Sequence, residues 1–143
     1  MTTDFKILSD AEHMLARPNM YIGSNTIEEY SGVLNYEWST VRIVPGLLKI
    51  VNEIIDNAVD EFIRTGGEHA NKISVTIGSD ISGSFVEVSD TGRGIPLNKV
   101  GDVYQPVAAW TKARAGSNFS DDRETLGMNG VGSMATSVFS REF

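Results

Sequence analysis

The chain contains no cysteine, which removes disulfides, thiol nucleophiles and thiolate metal sites together. Only two histidines occur, His13 and His69, too far apart in sequence to form a local zinc pair. Positive charge is scarce: 12 Lys and Arg stand against 19 Asp and Glu, a net charge of −7. Nucleic-acid backbones demand Lys and Arg in excess, so this segment is not expected to grip DNA by itself. No apolar run approaches the roughly 18 residues that mark a transmembrane helix, and no membrane partner is expected. The start, Met1-Thr2-Thr3-Asp4-Phe5-Lys6, lacks the basic segment and apolar core of a signal peptide, so the expected location is the cytoplasm. Gly-Lys-Ser/Thr is absent as well, which excludes a Walker phosphate loop.

What remains is an ordinary globular composition, 41% hydrophobic and 22% charged, over 143 residues. That length allows one domain. Glycine is the outlier at 14 residues, and nine of them fall between Gly78 and Gly132. The second half therefore carries the unusual backbone geometry.

Ser9-Asp10-Ala11-Glu12 reads as a capping box that starts a short helix. Arg17-Pro18 then turns the chain, because the residue before a proline avoids helical geometry. Residues 33–44 mix β-branched, aromatic and polar side chains and predict one or two strands. Pro45 suits the first turn of a helix, and Leu47, Ile50, Val51, Ile54, Ile55, Ala58, Val59 and Phe62 repeat at helical spacing until Gly66-Gly67. Alternating Ile73, Val75 and Ile77, then Phe85, Val86 and Val88 after a polar turn, predict a hairpin. A second helix is expected over 103–113, a polar loop over 116–127 and a third helix over 131–139. This order predicts an α+β layer structure and not a doubly wound parallel sheet. His13 and Trp38 read as structural.

Three groups of residues carry chemistry. Glu53, Asn57, Asp60 and Glu61 fall at spacings of four, three and one, which places them on one side of the long helix. Such a stripe can be a solvated face. Against that, Asn57 is a poor mid-helix residue, and only Lys49 and Arg64 at the ends balance the acids. A carboxylate and a carboxamide one turn apart can hold a water and a hard cation. In Asp90-Thr91-Gly92-Arg93-Gly94-Ile95-Pro96 a strand runs into an acid, and the alternate glycines allow either a plain turn or close approach to a ligand. In Gly127-Met128-Asn129-Gly130-Val131-Gly132 a glycine-rich segment opens a helix, where backbone N–H groups and the helix dipole favour an anion.

The order of these groups resembles the GHKL ATPase superfamily, which includes gyrase-type topoisomerases, MutL proteins, heat-shock chaperones of the ninety-kilodalton class and sensor histidine kinases. With Arg17-Pro18-Asn19-Met20-Tyr21-Ile22-Gly23 and 51–61 added, the match narrows to the ATPase region of type IIA DNA topoisomerases. Residues 44–50 and 115–119 lean toward the eukaryotic and T-even phage branch, while 53–61 and 94–96 look bacterial. That mixture fits a large subunit of the bacteriophage branch. The resemblance implies a Bergerat (GHKL) α+β fold, with helices on one face of a mixed, mostly antiparallel sheet. Residues 1–143 would be its N-terminal part, truncated on the C-terminal side, and 1–9 would be either a dimer arm or a frayed terminus.

Carried over by position, the resemblance makes Glu53 the catalytic base for the attacking water and Asn57 the Mg²⁺ ligand. Asp60 and Glu61 would belong to the same nucleotide site. Asp90 would accept the adenine amino hydrogen, with Arg93 and Gly94 beside it and Ile95 and Pro96 walling the purine. Ser117 and Asn118 would lie in a lid. Gly127, Met128, Asn129, Gly130, Val131 and Gly132 would wrap the phosphates. The implied cofactors are ATP and Mg²⁺. The implied partners are DNA through other regions of the full protein, other topoisomerase subunits and a second copy in a homodimer, in the host bacterial cytoplasm if the protein is phage-encoded.

The sequence also departs from the family. Lys49 stands where bacterial gyrases have a histidine, Asn118 where the bacterial lid has a lysine, and Met134 where the eukaryotic phosphate loop has one. The family's later strands, adenine-side threonine and transducer lysine have no counterpart here, so the chain alone is expected to bind ATP weakly and hydrolyse it negligibly. Two other readings stand beside this one. One is a MutL-like ATPase, disfavoured by the Arg-Pro-x-Met-Tyr-Ile-Gly segment. The other is a non-catalytic nucleotide-binding or dimer-interfering fragment.

Overall fold

A computed structural model describes residues 6–113 and 130–143. The capping box forms as expected at the start of α1 (Asp10–Ala16). The Ser9 hydroxyl accepts the Glu12 N–H at 3.3 Å, and the Glu12 carboxylate accepts the Ser9 N–H at 2.8 Å. Pro18–Met20 make one tight helical turn, after which the Tyr21 ring meets His13 edge-on and the two side chains hydrogen-bond at 2.7 Å.

β1 (Glu28–Leu34) and β2 (Glu37–Ile43) pair antiparallel across a two-residue turn. Asn35 and Tyr36 both take positive φ there, 50° and 67°, the geometry that matches the twist of a hairpin. β1 begins earlier than the apolar pattern indicates, because its first residues, Glu28 and Glu29, are charged and exposed. Trp38 faces Val33 across the hairpin and is 75% exposed, so it lies on the open face and not in the core.

α2 (Pro45–Arg64) is the long helix. Proline costs nothing in its first turn, where the missing N–H has no partner to lose, and the Gly46 N–H ties that turn to the Ser24 carbonyl at 2.7 Å. At the other end the Thr65 hydroxyl donates to the Glu61 carbonyl at 2.8 Å before Gly66 and Gly67 lead the chain away. β3 (Ile73–Asp80) and β4 (Gly83–Asp90) form the expected hairpin, with Ile73 opposite Asp90 and Asp80 opposite Gly83.

β5 (Lys99–Val100) and β6 (Val103–Tyr104) make a small third hairpin. α3 (Gln105–Thr111) follows it. The expected helix over 103–113 is thus shorter, because Pro106 sets the start of the helix and leaves Val103 and Tyr104 extended. α4 (Gly132–Phe139) closes the described chain and packs along α2. Met14, Ile22, Ile50, Met134 and Ala135 form the buried core between α1, α2 and α4. Among the described residues every strand pairing is antiparallel.

Candidate functional site

A cleft of about 1650 Å³ opens between α2, the end of β4 and the start of α4. From α2 it receives Glu53, Asn57, Asp60 and Glu61; from the β4 side Asp90, Gly94, Ile95 and Pro96; and from the other flank Gly130, Val131 and Gly132. The three groups singled out in the sequence, 79 residues apart at their extremes by number, therefore meet around one space. Ser117, Asn118, Gly127, Met128 and Asn129 lie outside the described residues.

α4 sets the wall opposite α2. Its buried Thr136 hydroxyl donates to the carbonyl of Ile50 at 3.0 Å and contacts its own Gly132 carbonyl at the same distance. This anchors the first turn of α4 against the middle of α2. Gly132 then lies so close to Glu53 that a Cβ there would fall on the carboxylate. One turn further along α2, the Asn57 Nδ2 donates to Ser133 Oγ at 3.0 Å. Glu53 itself is four-fifths buried and ion-pairs with Lys49, the residue that replaces the gyrase histidine. Met134, in place of a eukaryotic loop lysine, is a core residue at 4% exposure and serves packing.

The polar stripe on α2 is solvated only in part: Asn57 is exposed, but the acids beyond it are not. Asp60 and Glu61 are buried, at 4% and 9% exposure. Glu61 accepts Arg93 Nε at 2.7 Å, Arg93 Nη2 at 3.3 Å and the Arg93 backbone N–H at 3.5 Å, with Arg64 on the same carboxylate. The Arg93 guanidinium, more than the opposing cost of burial, holds the Glu61 carboxyl at a pKa of about 2. Arg93 directs its side chain to Glu61 and is not one of the residues that line the cleft.

Asp90 stands at the open end of β4. Thr91 continues the pairing beyond it by donating its N–H to the Lys72 carbonyl at 3.1 Å. One Asp90 oxygen accepts the Gly92 N–H at 2.6 Å, and the second oxygen keeps its capacity to accept. Gly92 has no room for a side chain: a Cβ would meet Asp90 Oδ1 at 2.5 Å and Glu61 Cγ at 3.0 Å. Gly94 takes φ +69°, which glycine adopts without strain. The strand-end acid and the arginine clamp thus share one compact loop.

The donor set suits Mg²⁺ more than a protein-caged metal. Among the described residues no group of three His, Cys, Asp or Glu side chains could hold an ion. With its Nδ2 on Ser133, Asn57 has a carbonyl oxygen left to offer. Mg²⁺ characteristically takes one or two protein oxygens and completes its shell with phosphates and water. Ser133, Thr136 and Arg64 were not legible as site residues: a serine after a helix-opening glycine carries no distinctive signal.

An α+β fold with a glutamate and an asparagine one turn apart, a strand-end aspartate and a glycine-led helix around one cleft is the arrangement expected of a GHKL-type protein. The chain belongs to the histidine kinase-, DNA gyrase B-, and HSP90-like ATPase family, whose profile matches residues 43–139. It is 50% identical to the DNA topoisomerase large subunit of Enterobacteria phage T4, over 98% of this chain and 28% of that protein. It is 35% identical to DNA topoisomerase 2 of Saccharomyces cerevisiae, over 97% of this chain and 10% of that protein. The solved ATPase region of Saccharomyces cerevisiae topoisomerase II superposes with a TM-score of 0.78 at 31% identity, covering 92% of this chain and 36% of that one. The ATPase and transducer domains of Balamuthia mandrillaris topoisomerase II give 0.79 at 28% identity, over 95% and 36%. The Bergerat fold expected from the motifs is therefore the fold observed, and the chain corresponds to part of the ATPase region of type II topoisomerases. It spans well under half the length of these relatives.

Proposed function

We propose that this chain forms the Mg-ATP site of a type IIA DNA topoisomerase, in which nucleotide binding and hydrolysis drive closure of a dimer gate and DNA strand passage. The observation that carries the reading is the first turn of α4, which touches both Glu53 and Asn57 across the cleft from Asp90. In this reading Asp90 accepts a hydrogen from the adenine amino group, while Ile95 and Pro96 cover the ring. Backbone N–H groups at 130–132 surround the phosphates, where the helix start favours negative charge. Glu53 takes the proton of the attacking water. Asn57 offers its carbonyl oxygen to Mg²⁺, which when bound neutralises charge on the phosphate oxygens. Glu61 and Arg93 serve the site by holding the loop after Asp90, since the Glu61 carboxylate is already occupied by arginine, and Asp60 lines the same cleft.

The family resemblance alone assigns Ser117 and Asn118 to a lid and 127–129 to the phosphate loop in this proposal. In this proposal DNA, the other topoisomerase subunits and a second copy of the chain are partners of the complete protein, with the bacterial host cytoplasm as its compartment if the protein is phage-encoded. Among the described residues no helix is long and apolar enough to cross a membrane.

Titration with ATP and GTP in the presence of Mg²⁺ tests the reading. ATP should bind in preference, because a buried acceptor placed for an amino group rejects bases that lack it. Equal binding of GTP would remove the adenine assignment to Asp90.

A further inference from the structure

We propose that Ser133 is a positioning residue for Asn57, fixing which end of the amide faces the cation beside the nucleotide phosphates. The inference rests on the nucleotide site proposed above and deepens it. A carboxamide is two-ended: its oxygen can ligate a hard cation, whereas its NH₂ group, two N–H donors, repels one. Asn57 is itself exposed on α2, so packing does little to fix its side chain. The bond from Nδ2 to Ser133 Oγ, at 3.0 Å, occupies the wrong end and leaves the right one.

Ser133 holds its place independently of Asn57. Thr136, on the same helix, is buried and bonded to the Ile50 carbonyl, and Gly132 abuts Glu53. The three contacts follow α2 in register, at Ile50, Glu53 and Asn57. The hydroxyl is therefore presented by a rigid turn at a fixed distance from the amide. Groups that orient a ligand in this way set metal affinity without touching the metal.

The test compares ATP binding by the full-length subunit in EDTA and in Mg²⁺, read by calorimetry, for the parent and for Ser133→Ala, Ser133→Thr and Asn57→Ala. The result expected is a loss of about 3- to 10-fold in the Mg²⁺-dependent gain in affinity for Ser133→Ala, the scale of one hydrogen bond. Binding in EDTA should stay at the parent level, and Ser133→Thr should restore the gain. An undiminished Mg²⁺ gain in Ser133→Ala, while Asn57→Ala abolishes it, would overturn the positioning role and leave the nucleotide site standing. Equal losses in EDTA and Mg²⁺ at an unchanged melting temperature would also overturn it, since Ser133 would then act on the nucleotide directly. If the parent bound no ATP, or Asn57→Ala kept the full Mg²⁺ gain, the proposed site itself would fall and this inference with it.

Discussion

The Glu61 carboxylate, near the end of α2, accepts both the guanidinium of Arg93 and its backbone N–H, at 2.7 and 3.5 Å. These residues lie 32 apart in sequence, so the pair stitches the long helix to the loop that follows Asp90. Gly92 sits between them with no room for a side chain. The position of the strand-end acid thus depends on an ion pair whose arginine does not line the cleft.

That pair gives stability a defined pH dependence. The folded-state pKa of Glu61, about 2, lies below its ordinary value of 4.5, so the contribution is fully present above the ordinary value and is lost as pH falls toward 2. Glu61→Gln should cost about 1–3 kcal/mol near pH 6, less than a fully buried pair because Arg93 is half exposed. Urea unfolding of parent and variant at pH 6 and at pH 3 checks this: the gap between them should narrow at the lower pH. A gap of equal size at both would mean that the charge on Glu61 is not what stabilises the loop.

The α2 helix and the β3–β4 hairpin were legible because each repeats its apolar residues at its own period over many positions. The ends of shorter elements were not. β1 starts on charged Glu28, and Pro106 moved the start of α3, expected at 103, to Gln105. At the site, Glu53, Asn57 and Asp90 stood out as polar groups in unusual places, and the structure brings them to one cleft. Arg93 and Glu61 were each expected at the nucleotide site and not as partners of each other, and Arg93 turns to Glu61 without lining the cleft. Pairing across 32 residues is a tertiary fact with no local pattern. Ser133 and Thr136 gave no signal for the same reason: their partners lie 76 and 86 residues away.

Asp90→Asn should weaken adenine-nucleotide binding by roughly 2–3 kcal/mol, the scale of a charge-assisted hydrogen bond together with an opposed donor. The amide can still accept the Gly92 N–H through its oxygen, so the loop should fold normally. Fluorescence titration with a labelled ATP analogue measures the affinity, and amide hydrogen exchange over β4 verifies the loop. Unchanged affinity would sink the adenine contact.

Glu53→Ala in the full-length subunit should leave ATP binding largely intact and lower turnover by about 10²–10⁴-fold, as expected when a positioned base is lost. Asn57→Ala should behave differently, losing the Mg²⁺-dependent part of binding. Steady-state hydrolysis beside equilibrium binding separates the two. Hydrolysis at the parent rate by Glu53→Ala would assign the base to another residue.

Gly132→Ala tests the close approach of α4 to α2. At an ordinary helical position the change from glycine to alanine stabilises by roughly 0.5–1 kcal/mol. Here the new methyl falls on the Glu53 carboxylate, so the sign should reverse. Either Glu53 leaves its place or α4 retreats from α2, straining the Thr136 bond to Ile50. Overpacking of this kind costs about 1–3 kcal/mol. In the full-length subunit turnover should fall on the order of 10²-fold, because a displaced base no longer lines up with water and phosphate. The decisive measurement is a double-mutant cycle in urea unfolding, with Glu53→Ala as the second change. Removing the carboxylate empties the space that the methyl needs, so the double variant should recover most of the stability that Gly132→Ala loses. Additive losses would show that the two residues are not in contact, and that Gly132 is required for its backbone alone.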